Sequence, residues 1–173
     1  MDRLRRITGR LRYLSRRERV LALFAAICVL ALFWPRVRAE YYYLRIVTGR
    51  GEQQVTFSLR LQGLGNQAAV PPLLRLLRSD DSFLRDTAAR SLARYAGEGV
   101  VSVLIQVAES DPDVEVRIAS VWSLGELHDP RAMPVLRRIA ASDRSVRGNA
   151  IDALWKLGPE GRAAAQALLL SEQ

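Results

Sequence analysis

Apolar and small residues recur along the C-terminal two thirds of the chain with the spacing of one helix face. Counted from Arg85, Arg117 and Arg147, they stand one position before and three, four, seven and ten after each arginine. These offsets lie on one side of a helix with 3.6 residues per turn, so three amphipathic helices are predicted. The residues at these offsets are Leu84, Ala88, Ala89, Leu92 and Tyr95; Val116, Ser120, Val121, Leu124 and Leu127; and Val146, Ala150, Ile151, Leu154 and Leu157.

The three helices belong to a repeated unit. Ser-Asp pairs begin at Ser79, Ser110 and Ser142, which are 31 and 32 residues apart. A shorter helix is predicted between the amphipathic ones, so that each unit is an antiparallel helix pair. Pairs that cannot bury their apolar faces alone stack into a solenoid. The shorter helices are predicted at residues 67–78, 99–109, 130–141 and 160–170.

The residues at the expected helix ends agree with this assignment. Asp111 is predicted to cap the middle amphipathic helix with Pro112 at its first position, and Asp143 to cap the next one. Glycines follow the last periodic residues, where a left-handed C-cap is favourable. These glycines are Gly65, Gly97 and Gly158.

Residues 53–64 allow two interpretations. Val55, Phe57, Leu59 and Leu61 alternate with other residues as a strand would. The ending Leu64-Gly65, however, aligns with residues 157–158 at the end of the last amphipathic helix. We therefore predict the second helix of a degenerate first repeat.

Residues 110–136, SDPDVEVRIASVWSLGELHDPRAMPVL, resemble the bacterial HEAT-like repeat found in phycobilin lyases and other proteins. The resemblance extends from about residue 55 to the C-terminus and implies an all-α, right-handed solenoid of about three and a half helix pairs. In such repeats Arg85, Arg117 and Arg147 resemble rungs of an Asp–Arg ladder between neighbouring units. Proteins with these repeats are mostly interaction scaffolds, so the resemblance implies binding of a protein partner.

An apolar run precedes the repeats. The fifteen residues from position 20 to position 34 begin with Val20, end with Trp34 and carry no charge. A helix of this length spans about 22 Å, less than the ~30 Å hydrocarbon core, but flanking arginines can extend toward the headgroups. We predict a transmembrane anchor at 20–35, a connector or first solenoid helix at 36–52, and the repeat domain at 53–173.

A cleaved signal peptide is the alternative for the same run. Its small-residue cleavage site would be Val37-Arg38-Ala39, before Glu40. An arginine at the proposed site and the proline at position 35 are unfavourable for cleavage. The uncleaved anchor is therefore the preferred interpretation.

The formal net charge of +8 is concentrated before the repeats. Residues 1–50 carry twelve arginines and three acidic residues, net +9, and residues 51–173 carry the remaining 14 basic and 15 acidic residues, net −1. A neutral repeat domain argues against binding of nucleic acid, which needs clustered basic residues. Nucleic-acid binding through the arginine-rich N-terminal segment is kept as an alternative.

The same arginines predict the orientation of the anchor. Eight precede the apolar run and four lie between its end and residue 51. The positive-inside rule therefore predicts a single-pass inner-membrane protein with residues 1–19 as a basic cytoplasmic segment and the repeats in the periplasm. The protein partner would then lie within or at the membrane.

The sequence offers few groups for catalysis. His128 is the single histidine, in a predicted solvated turn, and Cys28 is the single cysteine. Triads and zinc sites of the usual kinds need further histidines or cysteines. We therefore expect no catalytic residue, metal, cofactor or small-molecule substrate, and predict that the protein is not an enzyme. An exported, lyase-like enzyme subunit is the alternative.

Large apolar residues are predicted on the side of the amphipathic helices that faces away from the core. Trp122 and Ile118 occupy such positions in one repeat, and Trp155 does so in the next. Exposed aromatic residues often anchor interfaces, so we predict a partner-binding surface here. The alternatives are that Trp155 covers a neighbouring helix and that Trp122 lies under the chain termini. The predicted polar rim consists of Arg90, Arg94, Glu126 and Asp152.

Overall fold

Residues 16–170 are described by a computed structural model, and within them the chain forms nine α-helices and no β-strand. The all-α fold is thereby confirmed, whereas most of the predicted segment 1–19 lies outside the described residues. Short 3₁₀ turns lead into α3 and α7. The helices are α1 (Arg16–Thr48), α2 (Glu52–Gln62), α3 (Val70–Leu76), α4 (Ser82–Leu92), α5 (Glu98–Ser110), α6 (Val114–Glu126), α7 (Met133–Ser142), α8 (Arg147–Lys156) and α9 (Gly158–Leu170).

Helix α1 contains the apolar run and continues well beyond it. It passes through Pro35 without ending, and the boundary between two compact units of the chain falls within it, between Arg38 and Ala39. The stretch Val20–Thr48 is long and apolar enough to cross a membrane, a property that signal sequences near an N-terminus share. In the second unit, Ala39 and Ile46 are fully buried, so the end of α1 is part of the solenoid.

The repeats stack through their second helices. Helices α3 and α4, α5 and α6, and α7 and α8 form successive pairs, and α4, α6 and α8 pack directly on one another as one layer. Small residues make this close packing possible. A Cβ atom on Gly125 of α6 would lie 3.0 Å from the Cα and Cβ atoms of Ala153 in α8. On the other side of α6, the buried hydroxyl of Ser123 donates to the carbonyl oxygen of Ala89 at 2.8 Å.

The buried residues confirm the helical phase predicted for the repeats. Leu92, Leu124 and Leu154 stand seven positions after their arginines, and all three are fully buried. Residues 52–62 are also helical, so the helical interpretation of the degenerate first repeat is correct. The core is therefore continuous from the end of α1 to α9.

The predicted N-terminal caps of two helices are wrong. Helix α6 is capped by Asp113, whose side chain accepts from the amide of Glu115 at 2.9 Å, and not by Asp111. Helix α8 begins after Val146, three residues beyond the predicted cap Asp143. The reason is tertiary, because the carboxylates at 111 and 143 bind arginines of the preceding repeat.

The predicted C-terminal turns are correct at two glycines and wrong at one. Gly65 and Gly158 have φ angles of 61° and 84°, in the left-handed region that favours glycine. Gly97 is extended and precedes α5 as its N-cap. His128 has a φ of 53°, so a histidine adopts the left-handed turn in that repeat.

Candidate functional site

The layer of second helices carries a groove between α6 and α8. Its volume is about 390 Å³. Because both tryptophans of the predicted surface contribute to it, we call it the tryptophan groove. It is lined by Trp122, Asn149, Asp152, Ala153, Trp155 and Lys156.

The two indole rings remain partly open to solvent. Trp122 keeps 39% of its surface exposed and Trp155 keeps 38%, although both lie on helices whose opposite faces are fully buried. A tryptophan can bury a large apolar area, so two of them in one groove form an apolar floor that is only partly covered. Such a floor is suited to an apolar or aromatic side chain of another protein.

Lys156 completes the groove and was not among the residues predicted from the sequence. Its ammonium nitrogen lies 2.5 Å from a carboxylate oxygen of Glu126 and 5.8 Å from the ring centre of Trp122. Glu126 and Lys156 both stand nine positions after the arginine of their own repeat. Opposite charges at equal offsets in adjacent repeats were the signal that made Lys156 a candidate partner of Glu126, as they also made Arg94 in the preceding repeat.

The remaining residues of the predicted surface are not brought into the groove. Arg90 pairs with Asp86 at 3.0 Å beside a separate depression that includes Phe83. Arg94 is exposed outside the groove lining, and Ile118 is half-buried against the core. The groove therefore combines both tryptophans and Asp152, with Glu126 attached through Lys156.

The predicted Asp–Arg ladder is present between the repeats. Arg85 of α4 donates two hydrogen bonds to the carboxylate of Asp111, at 2.8 and 2.9 Å. Arg117 of α6 contacts Asp143 at 3.1 Å. In the last repeat Arg147 donates to backbone carbonyl groups, including that of Ala140 at 3.0 Å. The ladder joins the repeats, so we assign these arginines a structural role.

The ladder changes the ionisation of Asp111. Burial alone would raise the pKa of this carboxyl group, but hydrogen bonds from Arg85 and from the amide of Asp113, with the charges of Arg85 and Arg117, outweigh burial and lower the pKa below its usual value. The pKa of the Arg85 guanidinium is raised, chiefly by the hydrogen bond to Asp111. Both groups therefore stay charged at neutral pH.

The reactive groups of the described residues are scattered. His128 is exposed, and its Nδ1 atom lies 2.6 Å from the carbonyl oxygen of Glu126. Cys28 is exposed on α1. Between residues 16 and 170, no three or more His, Cys, Asp and Glu side chains are placed so that they could hold a metal ion.

Comparisons with known proteins agree with the repeat architecture. The family model of HEAT repeats matches residues 53–108 and 101–171. The structure of the complex of CpcE and CpcF of phycocyanin lyase from Nostoc sp. PCC7120 is similar, with a TM-score of 0.65 and 25% sequence identity over 78% of this chain and 88% of that chain. No curated protein sequence matches. The resemblance to HEAT-like repeats of the phycobilin-lyase type is confirmed.

The similarity to the lyase complex corrects one prediction. We predicted from the sequence that the protein is not an enzyme, and this prediction is wrong, because the similar structure is a phycocyanin lyase complex. The prediction rested on the few catalytic groups that the sequence of one chain offers. The similar structure is a complex of two named proteins, so the residues of a single chain are an incomplete test of such a function.

Proposed function

This protein belongs to the HEAT-repeat family, and from that premise we propose that it is a membrane-anchored subunit of a lyase-like enzyme assembly. It would bind a partner protein on the surface of α6 and α8, where the tryptophan groove lies. The observation that carries the proposal is the tryptophan groove, which Trp122 and Trp155 of two adjacent repeats both line.

The composition of the groove supports a protein as its ligand. The groove combines an apolar centre with a charged edge. The centre consists of the two partly exposed indole rings, and the edge consists of Asp152 and the Glu126–Lys156 pair. This combination is typical of the anchoring region of a protein interface, where a few large aromatic residues contribute most of the binding energy. The neutral charge of the repeat domain agrees with a protein partner rather than a nucleic acid.

The comparison with the lyase complex supports a specific kind of assembly. That complex contains two different proteins, CpcE and CpcF. By analogy, the partner of this chain would be a second subunit, and the reaction would be carried out by the two together.

The anchor is supported by α1. The side chains of the apolar run are exposed, and the same helix continues into the buried face formed by Ala39 and Ile46. An uncleaved α1 would therefore tether the repeats directly to the membrane. The distribution of arginines on its two sides favours a periplasmic position for the repeats.

We expect Trp122→Ala to weaken partner binding at least about tenfold, because aromatic anchors at the centre of an interface often contribute more than 1.4 kcal/mol. The intact protein, solubilised from membranes, is used to capture its partner. The partner is then identified and purified, and its Kd is measured for wild type and variant. A second lyase-like subunit as the captured protein would agree with the proposed assembly.

Phe83→Ala provides the matched control. Phe83 is another partly exposed aromatic residue, with 46% exposure, on α4 and outside the groove. Its truncation should leave the Kd nearly unchanged. Equal losses for the two variants, or a Trp122→Ala protein that unfolds early and still binds its partner, would contradict the assignment of the groove.

The orientation of the anchor has its own test. We expect protease added to spheroplasts to digest the repeats and leave a short membrane-protected fragment, because the arginine asymmetry favours a position of the repeats outside the cytoplasm. Immunoblotting with an N-terminal epitope detects the fragment. Repeats that resist digestion until the membrane is lysed would refute this orientation.

A further inference from the structure

Asp152 gives the tryptophan groove a carboxylate that has no basic partner among the side chains that the structure describes. It is exposed on α8, whereas the other carboxylate beside the groove, that of Glu126, contacts Lys156 at 2.5 Å. The groove and its edge therefore hold two carboxylates and one cation. This charge balance favours a positively charged group on the ligand.

The carboxylate lies beside an indole ring on the same helix. Asp152 and Trp155 are three residues apart on α8, a spacing that makes side chains neighbours on one helix face. Asn149 stands three residues before Asp152, and all three side chains line the groove. A carboxylate, an indole and a side-chain amide are thus available to a single ligand group.

The same combination of carboxylate and aromatic ring already binds an arginine elsewhere in this chain. Glu40 and Tyr43 are also three residues apart, on α1. Arg75 of α3 contacts the Glu40 carboxylate at 2.5 Å, and its Cζ atom lies 4.1 Å from the centre of the Tyr43 ring. The Glu126–Lys156 pair is a second example, because its ammonium nitrogen lies 5.8 Å from the centre of an indole ring on α6. In both cases a cation from a neighbouring element contacts a carboxylate and an aromatic ring of one helix.

We infer that Asp152 and Trp155 bind an arginine side chain of the partner protein, with the guanidinium group against the carboxylate and stacked on the indole ring. The inference rests on the proposed function, in which a second protein occupies the groove. Arginine is favoured over lysine because a planar guanidinium group can stack on an indole while it donates to Asp152 and to the amide oxygen of Asn149. Its methylene groups would cover the apolar floor of the groove.

Tryptophan fluorescence of the full-length protein in detergent micelles tests the arginine contact. The third tryptophan is removed by Trp34→Phe, so that only the two indoles of the groove report. The probes are three short, otherwise identical peptides with a central arginine, citrulline or leucine; citrulline has nearly the shape of arginine without its charge. We expect the arginine peptide to bind about fivefold more tightly than the citrulline peptide, because only arginine supplies the ionic and cation–π contacts.

Asp152→Asn should reduce the affinity for the arginine peptide to that for the citrulline peptide, without changing thermal unfolding. Glu115→Gln is the matched control. Glu115 is also an exposed carboxylate without a basic partner among the described side chains, but it lies at the separate depression between α4 and α6. Its substitution should leave the binding of all three peptides unchanged.

Three results with the peptides would overturn the inference. They are no fluorescence change with the arginine peptide, equal or tighter binding of the leucine peptide, and equal losses for Asp152→Asn and Glu115→Gln. The Kd of the captured partner separates this inference from the proposed function. If Trp122→Ala weakens partner binding and Asp152→Asn does not, the arginine contact is refuted and the proposed function stands. If neither variant weakens it, both fail.

Discussion

Leu124→Ala is expected to lower the free energy of unfolding by about 2 to 5 kcal/mol. The side chain of Leu124 is fully buried in α6, and the neighbouring helices already approach closely at Gly125 and Ser123. Helices in such close contact cannot move inward to fill the space that the truncation leaves, so most of the cavity should remain. Leu154 holds the equivalent position in α8 and should give a similar loss. Losses of this size are a large part of the roughly 5 to 15 kcal/mol that stabilises an ordinary domain.

Urea unfolding of the full-length protein in detergent micelles, followed by circular dichroism, measures the effect. Glu126→Ala is the control on the same helix, two residues away. Its pair with Lys156 is more than a third exposed on both sides, so its loss should cost no more than about 1 kcal/mol. Equal shifts in the urea midpoint for Leu124→Ala and Glu126→Ala would mean that the assigned core face of α6 is wrong.

Asp111→Ala should be nearly as damaging, with a loss of about 2 to 4 kcal/mol, because it leaves Arg85 without its carboxylate partner in a mostly buried position. The side chains of Arg85 and Asp111 are 11% and 6% exposed. The substitution also removes the acceptor for the amide of Asp113 just before α6. The two repeats joined by this pair should therefore separate more easily.

The pH dependence gives a second measurement of the same pair. The folded protein lowers the pKa of Asp111, so the ion pair contributes its full stability above the unfolded pKa near 4 and loses it as pH falls through the lower folded pKa. We expect the urea midpoint of the wild type to decrease when the pH is lowered below about 4. The midpoint of Asp111→Asn should decrease less over the same range.

Asp86→Asn is the matched control for this series. Asp86 also pairs with an arginine, Arg90, but the side chains of that pair are 24% and 44% exposed on the surface of α4, more than those of Asp111 and Arg85. Exposed pairs contribute about 0 to 1 kcal/mol, so this variant should unfold almost as the wild type does at neutral pH. A loss for Asp86→Asn as large as that for Asp111→Ala would show that burial does not distinguish the two ion pairs.

Much of the candidate site could be predicted from the periodicity of apolar residues, because their spacing along a helix determines which side of the helix each residue occupies. The phase that buries Leu124 and Leu154 also places Trp122 and Trp155 on the opposite side, and the structure brings these two tryptophans together. Phase gives the direction of a side chain but not its position along the layer of helices. For this reason Arg90 was expected beside the tryptophans, whereas it lies at a different depression.

The sequence by itself determined an all-α chain of stacked helix pairs with an apolar helix before them, because 3.6-residue periodicity, glycine turns and an uncharged run are properties of neighbouring residues. Only the tertiary structure decided the ionic contacts between repeats. Glu126 has a basic residue at the same offset in both adjacent repeats, Arg94 before it and Lys156 after it. The contact forms with Lys156, where α6 and α8 approach closely at Gly125. The distance between two helices depends on the side chains of both. A pattern along one chain segment therefore could not have selected between Arg94 and Lys156 as the partner of Glu126.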